Sequence, residues 1–102
     1  MTTRFEVELT AEAEDDLGAI TDSRVRAKIE ERLDNLETDP GFQGKPLRGA
    51  LSGYRSVRAV GRRYRIIYEV VEEDASVVII VIAIRKEGSR DDAYSIAQRR
   101  LP

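Results

Sequence analysis

Arginine is concentrated in residues 45–102 of this sequence, together with two lysines and a late tyrosine. Basic residues lie on or near three predicted strands: Arg55, Arg58, Arg62, Arg63, Arg65, Arg85, Lys86 and Arg90. Tyr94 follows shortly afterwards. Guanidinium groups pair with phosphate oxygens, and Arg and Tyr side chains both stack on unpaired bases. The pattern favours an RNA ligand, although arginines at strand edges also keep a sheet soluble.

Charge is distributed unevenly along the 102 residues. Residues 1–44 contain five basic and twelve acidic residues, a balance of −7, whereas residues 45–102 contain twelve basic and seven acidic residues, a balance of +5. Halves of opposite net charge within one small domain are a known sign of nucleic-acid contact on the basic side. Attraction between two faces of the same domain explains the pattern as well, so charge alone leaves both interpretations open.

The sequence contains no histidine and no cysteine. A Ser-His-Asp triad, a histidine base, a thiolate zinc site and a disulfide framework are therefore excluded. Acid–base chemistry has to use Lys, Arg, Tyr, Asp or Glu side chains. Glycine-rich nucleotide motifs and calcium-loop spacing are also missing from the sequence, which predicts no metal and no other cofactor.

The first half is predicted to form one strand and two helices. Residues 4–9 alternate apolar and charged side chains, the period of a half-buried strand. Helices are expected near 11–19, with Thr10 as N-cap, and near 22–38, with the adjacent residues Thr21 and Asp22 at the cap. Together they predict a helical hairpin with an acidic outer face.

The second half is predicted to form three strands and a final helix. Residues 40–53, rich in Gly and Pro, indicate a loop. Strands are then expected over 54–60, 63–71 and 76–85. Short turns make them antiparallel, and the wholly apolar run 77–84 predicts a strand covered on both faces. Asp91 is predicted to cap the last helix.

The predicted order β-α-α-β-β-β-α makes residues 1–102 a single α+β domain, with an antiparallel sheet packed against the helical hairpin. The place of the first strand in the sheet does not follow from the sequence. No apolar signal core is found at the N-terminus, and the longest apolar run is far too short to span a bilayer. We therefore expect a cytoplasmic protein with no membrane partner.

Two stretches resemble a known family. They are GKPLRGALSGYRSVRAVGRRYRIIYEV and VVIIVIAIRKEGSRDDAYSIAQRRL. Their order resembles that of the RelE/ParE toxin superfamily of toxin–antitoxin systems. The usual pattern of that superfamily is an L-x-G loop, a strand opening with an aromatic residue, a G-x-x-R-x-x-Y segment, an apolar strand ending in basic residues, and a Tyr in or before the last helix. The likeness extends over nearly the whole chain and implies a RelE-like fold.

The RelE branch of that superfamily implies ribosome-dependent cleavage of mRNA without a metal ion. The ribose 2′-OH attacks the adjacent phosphate, a side chain takes its proton, arginines stabilise the charge and a Tyr or another acid assists the leaving group. The resemblance assigns this chemistry to Arg55, Arg65, Arg85, Lys86 and Tyr94, with Arg85 and Lys86 as alternatives for one position. We expect phosphate contacts outside the chemistry from Lys45, Arg48, Arg58, Arg62 and Arg63.

The opening of the first C-terminal strand departs from the RelE pattern. RelE has two lysines at alternating positions after the aromatic residue, whereas Tyr54 is followed by Arg55, Ser56, Val57 and Arg58. Arg55 fits the first position, and the second falls on Val57, or on Arg58 if a bulge absorbs one residue. Arginine is a poor general base because its pKa exceeds about 12. Proton abstraction is then weak, uses a ribosomal RNA group, or uses Glu87.

Two further functions stay open at this point. One is ParE-type inhibition of DNA gyrase; ParE-like chains tend to end the apolar strand with a His-containing segment, which this sequence lacks. The other is a non-catalytic binding protein with the same fold, which the missing lysine pair favours. Each of the three functions predicts a different cellular target.

A cognate antitoxin is the partner that the resemblance implies, beside the ribosome and mRNA. Its disordered acidic tail would cover Arg65 and Arg85, or displace the helix from Tyr94 to Leu101. Basic strands and apolar positions flanking that helix would hold the tail. A toxin–antitoxin hetero-oligomer and a homodimer are both compatible with the sequence.

Overall fold

Five strands form one mixed sheet in the computed structural model, which describes residues 3–101. The strands are β1 (Glu6–Leu9), β2 (Lys45–Pro46), β3 (Arg55–Ala59), β4 (Tyr64–Val71) and β5 (Ser76–Ile84). Their order across the sheet is β1-β5-β4-β3-β2. The helices are α1 (Ala11–Gly18), α2 (Ser23–Asn35) and α3 (Ala93–Arg100).

The three predicted C-terminal strands are β3, β4 and β5, and both of their pairings are antiparallel, as expected. β1 lies parallel to β5, with Val7 opposite Val77, and this pairing makes the sheet mixed. The predicted loop over 40–53 contains β2, whose Lys45 pairs with Ser56. A strand of two residues is too short to show a period, so only its partner reveals it.

The helical hairpin begins at the predicted caps. The Ala13 N–H donates to the Thr10 hydroxyl at 3.1 Å, and the Arg24 N–H donates to the Asp22 carboxylate at 2.9 Å. Both helices pack on one face of the sheet, which confirms the predicted layers. The buried core on this face comprises Ala13, Ile29, Leu33, Leu36, Val57, Ala59, Ile66, Tyr68, Val77, Ile79 and Ile82.

Helix α3 covers part of the opposite face, which we call the α3 face. Its Ala93 and Ala97 are buried there against β4 and β5. In β5 the register slips by one residue, because Ile67 pairs with Val81 while Tyr68 pairs with Ile79. The extra residue forms a bulge, and β5 thus buries apolar side chains on both faces, as its unbroken apolar run predicts.

The start of α3 differs from the prediction. Asp92, and not Asp91, is the N-cap, because its carboxylate accepts a hydrogen bond from the Tyr94 N–H at 3.0 Å. Asp91 is exposed, whereas Asp92 is buried. Both acids fit a cap by spacing, and contacts to Arg85 and to the Lys86 backbone select Asp92.

Candidate functional site

Two arginines face each other across the β3–β4 pair. Arg58 and Arg65 are direct partners in the register, and both lie on the α3 face. They line a recess of about 340 Å³, which we call the basic recess. Its lining residues are Arg32, Gly44, Lys45, Ser56, Val57, Arg58 and Arg65. Four cations at one recess make it suited to a phosphate-bearing ligand.

Neither Arg58 nor Arg65 forms an ion pair within the described part of the chain. Arg58 is exposed, and the Arg65 guanidinium donates to the carbonyl oxygens of Arg62 at 2.7 Å and Tyr64 at 3.2 Å. Backbone carbonyls orient a guanidinium without neutralising it. The recess therefore keeps a positive charge that an anionic ligand would balance.

Tyr94 is held beside the basic recess by contacts on three sides. Its hydroxyl lies 3.0 Å from the hydroxyl of Ser56, a buried residue that lines the recess. The Arg85 guanidinium carbon lies 4.8 Å from the centre of the Tyr94 ring, within cation–π range. The Tyr94 N–H donates to Asp92. The first two contacts fix the direction of the phenol, and the third holds the backbone that carries it.

Asp92 connects the end of β5 to the start of α3. One carboxylate oxygen accepts hydrogen bonds from the Arg85 guanidinium and the Lys86 N–H, each at 2.6 Å, and the other caps α3. Burial by itself would raise the pKa of Asp92, but the hydrogen bonds from Lys86, Arg85 and Tyr94 outweigh it and lower the pKa. Asp92 is therefore a charged side chain whose hydrogen bonds hold the end of β5 and the start of α3 together.

Arg85 has two carboxylate partners. Besides Asp92, it contacts the exposed Glu87 at 3.0 Å. Its hydrogen bond to Asp92 raises the pKa of Arg85, against the opposing effect of burial. With its charge shared between two carboxylates, Arg85 is better suited to hold the Tyr94 ring than to bind a phosphate by itself.

The structure does not bring Arg55 to the basic recess. Arg55 lies on the face of the helical hairpin, where its Nε donates to the Gln43 carbonyl at 3.0 Å. The Tyr68 hydroxyl donates to the same carbonyl at 3.1 Å, and burial raises the pKa of Tyr68, which keeps it a neutral donor. Arg55 thus holds the segment before β2, on the other side of the sheet from Arg65.

The β3–β4 register shows on which face of the sheet each residue of the β3 opening lies. Val57 is buried in the core beneath the helical hairpin. The alternating positions on the α3 face are Ser56 and Arg58, so Arg58 stands beside Arg65 with no bulge in β3. Strand alternation alone could have found Ser56, because it lies two residues from Arg58.

The other predicted basic residues lie around the recess or beyond it. Lys45 lines the recess, and Arg48 is exposed just before a 3₁₀ turn at Gly49–Leu51. Arg62 and Arg63 are exposed in the β3–β4 turn, where the Arg63 guanidinium carbon lies 5.7 Å from the centre of the Tyr64 ring. The side chain of Lys86 is exposed, while its backbone N–H binds Asp92.

Within residues 3–101, no three acidic side chains are grouped so that they could hold a metal ion. None of the helices described is long and apolar enough to cross a membrane.

Comparison with known proteins identifies the family. The family model described as the ParE toxin of the type II toxin–antitoxin system parDE matches residues 7–90. The chain is similar to a chain of the toxin–antitoxin complex RelBE2 from Mycobacterium tuberculosis, with 32% identity and a TM-score of 0.71. That match covers 81% of this chain and 93% of the other. No curated protein sequence matches the chain significantly.

Two more distant structures share the fold. An arginine double mutant of the Escherichia coli toxin RelE in the free state is 22% identical, with a TM-score of 0.74, and the match covers 97% of this chain and 99% of that one. A chain of the chromosomal ParDE system of Pseudomonas aeruginosa is 20% identical, with a TM-score of 0.64 and coverage of 78% and 95%. The sequence-based resemblance is confirmed: the chain belongs to the RelE/ParE superfamily of type II toxin–antitoxin toxins.

Proposed function

We propose that this toxin is a ribosome-dependent mRNA endonuclease that cleaves without a metal ion. The observation that carries the proposal is the contact of the Tyr94 hydroxyl with Ser56, in the wall of the recess that Arg58 and Arg65 also line. A group able to transfer a proton thus lies beside guanidinium groups that carry uncompensated charge. This is the combination that cleavage of a phosphodiester requires.

The reaction is an attack of the ribose 2′-oxygen on the adjacent phosphorus. The new O–P bond gives a 2′,3′-cyclic phosphate, and the bond from phosphorus to the 5′-oxygen of the next nucleotide breaks. Negative charge grows on the non-bridging oxygens as the phosphorane forms. Arg58 and Arg65 stabilise that charge, because donors fixed before the reaction need no reorganisation during it.

Two protons have to move in this step. Arginines are poor bases, so we assign the 2′-OH proton to the Glu87 carboxylate, which is held 3.0 Å from Arg85 and is exposed. Tyr94 donates its phenolic proton to the departing 5′-oxygen. Exchange with solvent then returns Glu87 to its charged form and Tyr94 to its neutral form.

The test is cleavage of mRNA on programmed ribosomes by the purified toxin, with mapping of the new 5′ ends. We expect cuts in phase with codons, and a loss of rate of about 100-fold in Tyr94→Phe and Arg65→Ala. Tyr54→Phe is the control, because Tyr54 lies outside the recess. Full activity of Tyr94→Phe would contradict the assignment.

Glu87→Gln separates the possible bases. If Glu87 takes the proton, the variant loses about 100-fold in rate, because Gln cannot accept it. Asp91→Asn, an exposed acid in the same loop, is the control. An unchanged rate would assign proton abstraction to the ribosome.

A second candidate function is inhibition of DNA gyrase. The matching family model is that of the ParE toxin, and its match ends at residue 90, before Tyr94. A supercoiling assay with the same preparation discriminates between the two functions. Inhibition of gyrase without mRNA cleavage would select this alternative, and neither activity would select a non-catalytic binding protein.

The proposed partner is a cognate antitoxin with an acidic tail that covers Arg65 and Arg85 or displaces α3. Support comes from the RelBE2 complex and from a complex of the E. coli RelE mutant with a peptide of the antitoxin RelB. Co-expression with the products of both neighbouring genes tests it. We expect one small product to co-purify and to relieve toxicity; mass measurement in solution then separates a hetero-oligomer from a homodimer of the toxin alone.

A further inference from the structure

Helix α3, which carries Tyr94, packs on the sheet through the partly buried Tyr94 and Ile96 as well as through small side chains. It is eight residues long, and its fully buried side chains are Ala93 and Ala97, which are small. An isolated helix of this length is not stable in water. Its position therefore depends on specific tertiary contacts at its two ends.

The contact at the C-terminal end is an ion pair with α1. The Arg100 guanidinium binds the Asp16 carboxylate at two points, at 2.7 and 2.9 Å, and Glu12 lies 3.4 Å from its Nε. The side chains of Arg100 and Asp16 are only 18% and 16% exposed. A bidentate pair shielded in this way fixes geometry better than an exposed pair does.

The same pair completes the hydrogen bonding of β5 beyond β1. β1 ends at Leu9, opposite Ile79, so the backbone of β5 after that point has no strand neighbour on this side. Arg100 donates to the Ile80 carbonyl at 2.8 Å, and Asp16 accepts from the Ile82 N–H at 3.0 Å. The two side chains thus occupy the place of a strand partner and tie α3 to a fixed edge.

We propose that the Asp16–Arg100 pair positions Tyr94. The pair holds the C-terminal end of α3, and Tyr94 lies near the start of the same helix. The inference rests on the proposed function for its link to cleavage. Without Arg100, Asp16 loses its counter-charge and the Ile80 carbonyl loses a donor, while α3 keeps the Asp92 cap and the packing near its start but loses the ion pair at its C-terminal end. The sheet and the helical hairpin keep their own core, so α3 shifts and carries Tyr94 away from Ser56.

The test compares Arg100→Gln and Asp16→Asn with the wild-type toxin. Arg99→Gln is the matched control, because Arg99 is the exposed neighbour of Arg100 on the same helix. Hydrogen exchange of the α3 amides is expected to speed up by about tenfold in both test variants while β4 and β5 stay protected. The single-turnover rate of cleavage is expected to fall by 10- to about 100-fold, with unchanged affinity for ribosomes.

A readout specific to Tyr94 is provided by the double variants. In a Tyr94→Phe background, Arg100→Gln is expected to cost no further rate, because the group that it positions is already missing. The same fold loss in that background, a loss of the same size in Arg99→Gln, or unchanged exchange in α3 would each overturn the proposal. If the wild-type toxin cleaves no mRNA, the proposed function fails by itself, and the exchange measurement still decides whether this pair holds α3.

Discussion

The hydroxyl of Tyr94 on α3 lies 3.0 Å from the hydroxyl of Ser56 on β3. This one contact joins the last helix to the strand that carries Arg58. It also gives Tyr94 a hydrogen-bond partner in the recess wall, the buried Ser56. The reactive direction of the phenol therefore depends on a serine that lies 38 positions earlier in the chain.

Ser56→Ala should slow mRNA cleavage without harming the fold. Loss of the Ser56 hydroxyl removes its hydrogen bond with the Tyr94 phenol, which is then held less precisely, at a cost in stability of about 1 kcal/mol. We expect kcat to fall by about tenfold with KM unchanged, because ground-state binding by the arginines is retained. Ser52→Ala, an exposed serine outside the recess, is the control. A rise in KM with constant kcat would assign Ser56 to RNA binding instead.

Gly44→Ala should destabilise the protein far more than an alanine at a comparable glycine. Gly44 has a φ of +62°, and an added Cβ would lie 2.1 Å from the Ser56 carbonyl oxygen. Gly49 has the same φ with nothing within 4 Å, so Gly49→Ala costs only the backbone strain of about 1 kcal/mol. The clash should add about 1–3 kcal/mol for Gly44→Ala in urea unfolding. Equal losses of unfolding free energy in the two variants would mean that the backbone at Gly44 and Ser56 moves apart at no cost.

The pH dependence of stability should carry a contribution from Asp92. Its folded-state pKa is below the ordinary value of 3.8, so its stabilisation is present above that pH and is lost as pH falls through the depressed pKa. Asp92→Asn should be less stable by about 2 kcal/mol at pH 7, with the difference narrowing below about pH 4.

Asp91→Asn provides the control for this pH measurement, because Asp91 is exposed beside the buried Asp92. Its stability should follow that of the wild-type toxin at every pH. A constant difference between wild type and Asp92→Asn from pH 7 to pH 2 would assign the effect of Asp92 to its shape and not to its charge.

Replacement of Arg62 and Arg63 by Gln should weaken ribosome binding in a salt-dependent way. Each phosphate contact releases counterions. Loss of two contacts therefore makes the negative slope of log K against log salt shallower by about 1.5. Gln replacements of Arg24 and Lys28, exposed cations on α2, should leave the slope unchanged. If both pairs behave alike, the turn arginines serve solubility.

Most of the secondary structure could be predicted from local patterns in the sequence. Alternation identified β1, the apolar run identified β5, and Thr10 and Asp22 marked the helix starts, because periodicity and capping depend on residues a few positions apart. The family resemblance singled out Arg65, Arg85 and Tyr94, which the structure places on or beside the α3 face.

Tertiary structure decided what depends on register and on contacts between distant segments. The sequence could not show which of Val57 and Arg58 shares a face with Arg65, since one step along a strand reverses the face and the pairing with β4 sets it. Nor could it find the Asp16–Arg100 pair, whose members lie 84 positions apart. Hydrophobic periodicity is local and indicates which side chains of one element share a face. Long-range pairing alone determines which residues of different elements meet on that face.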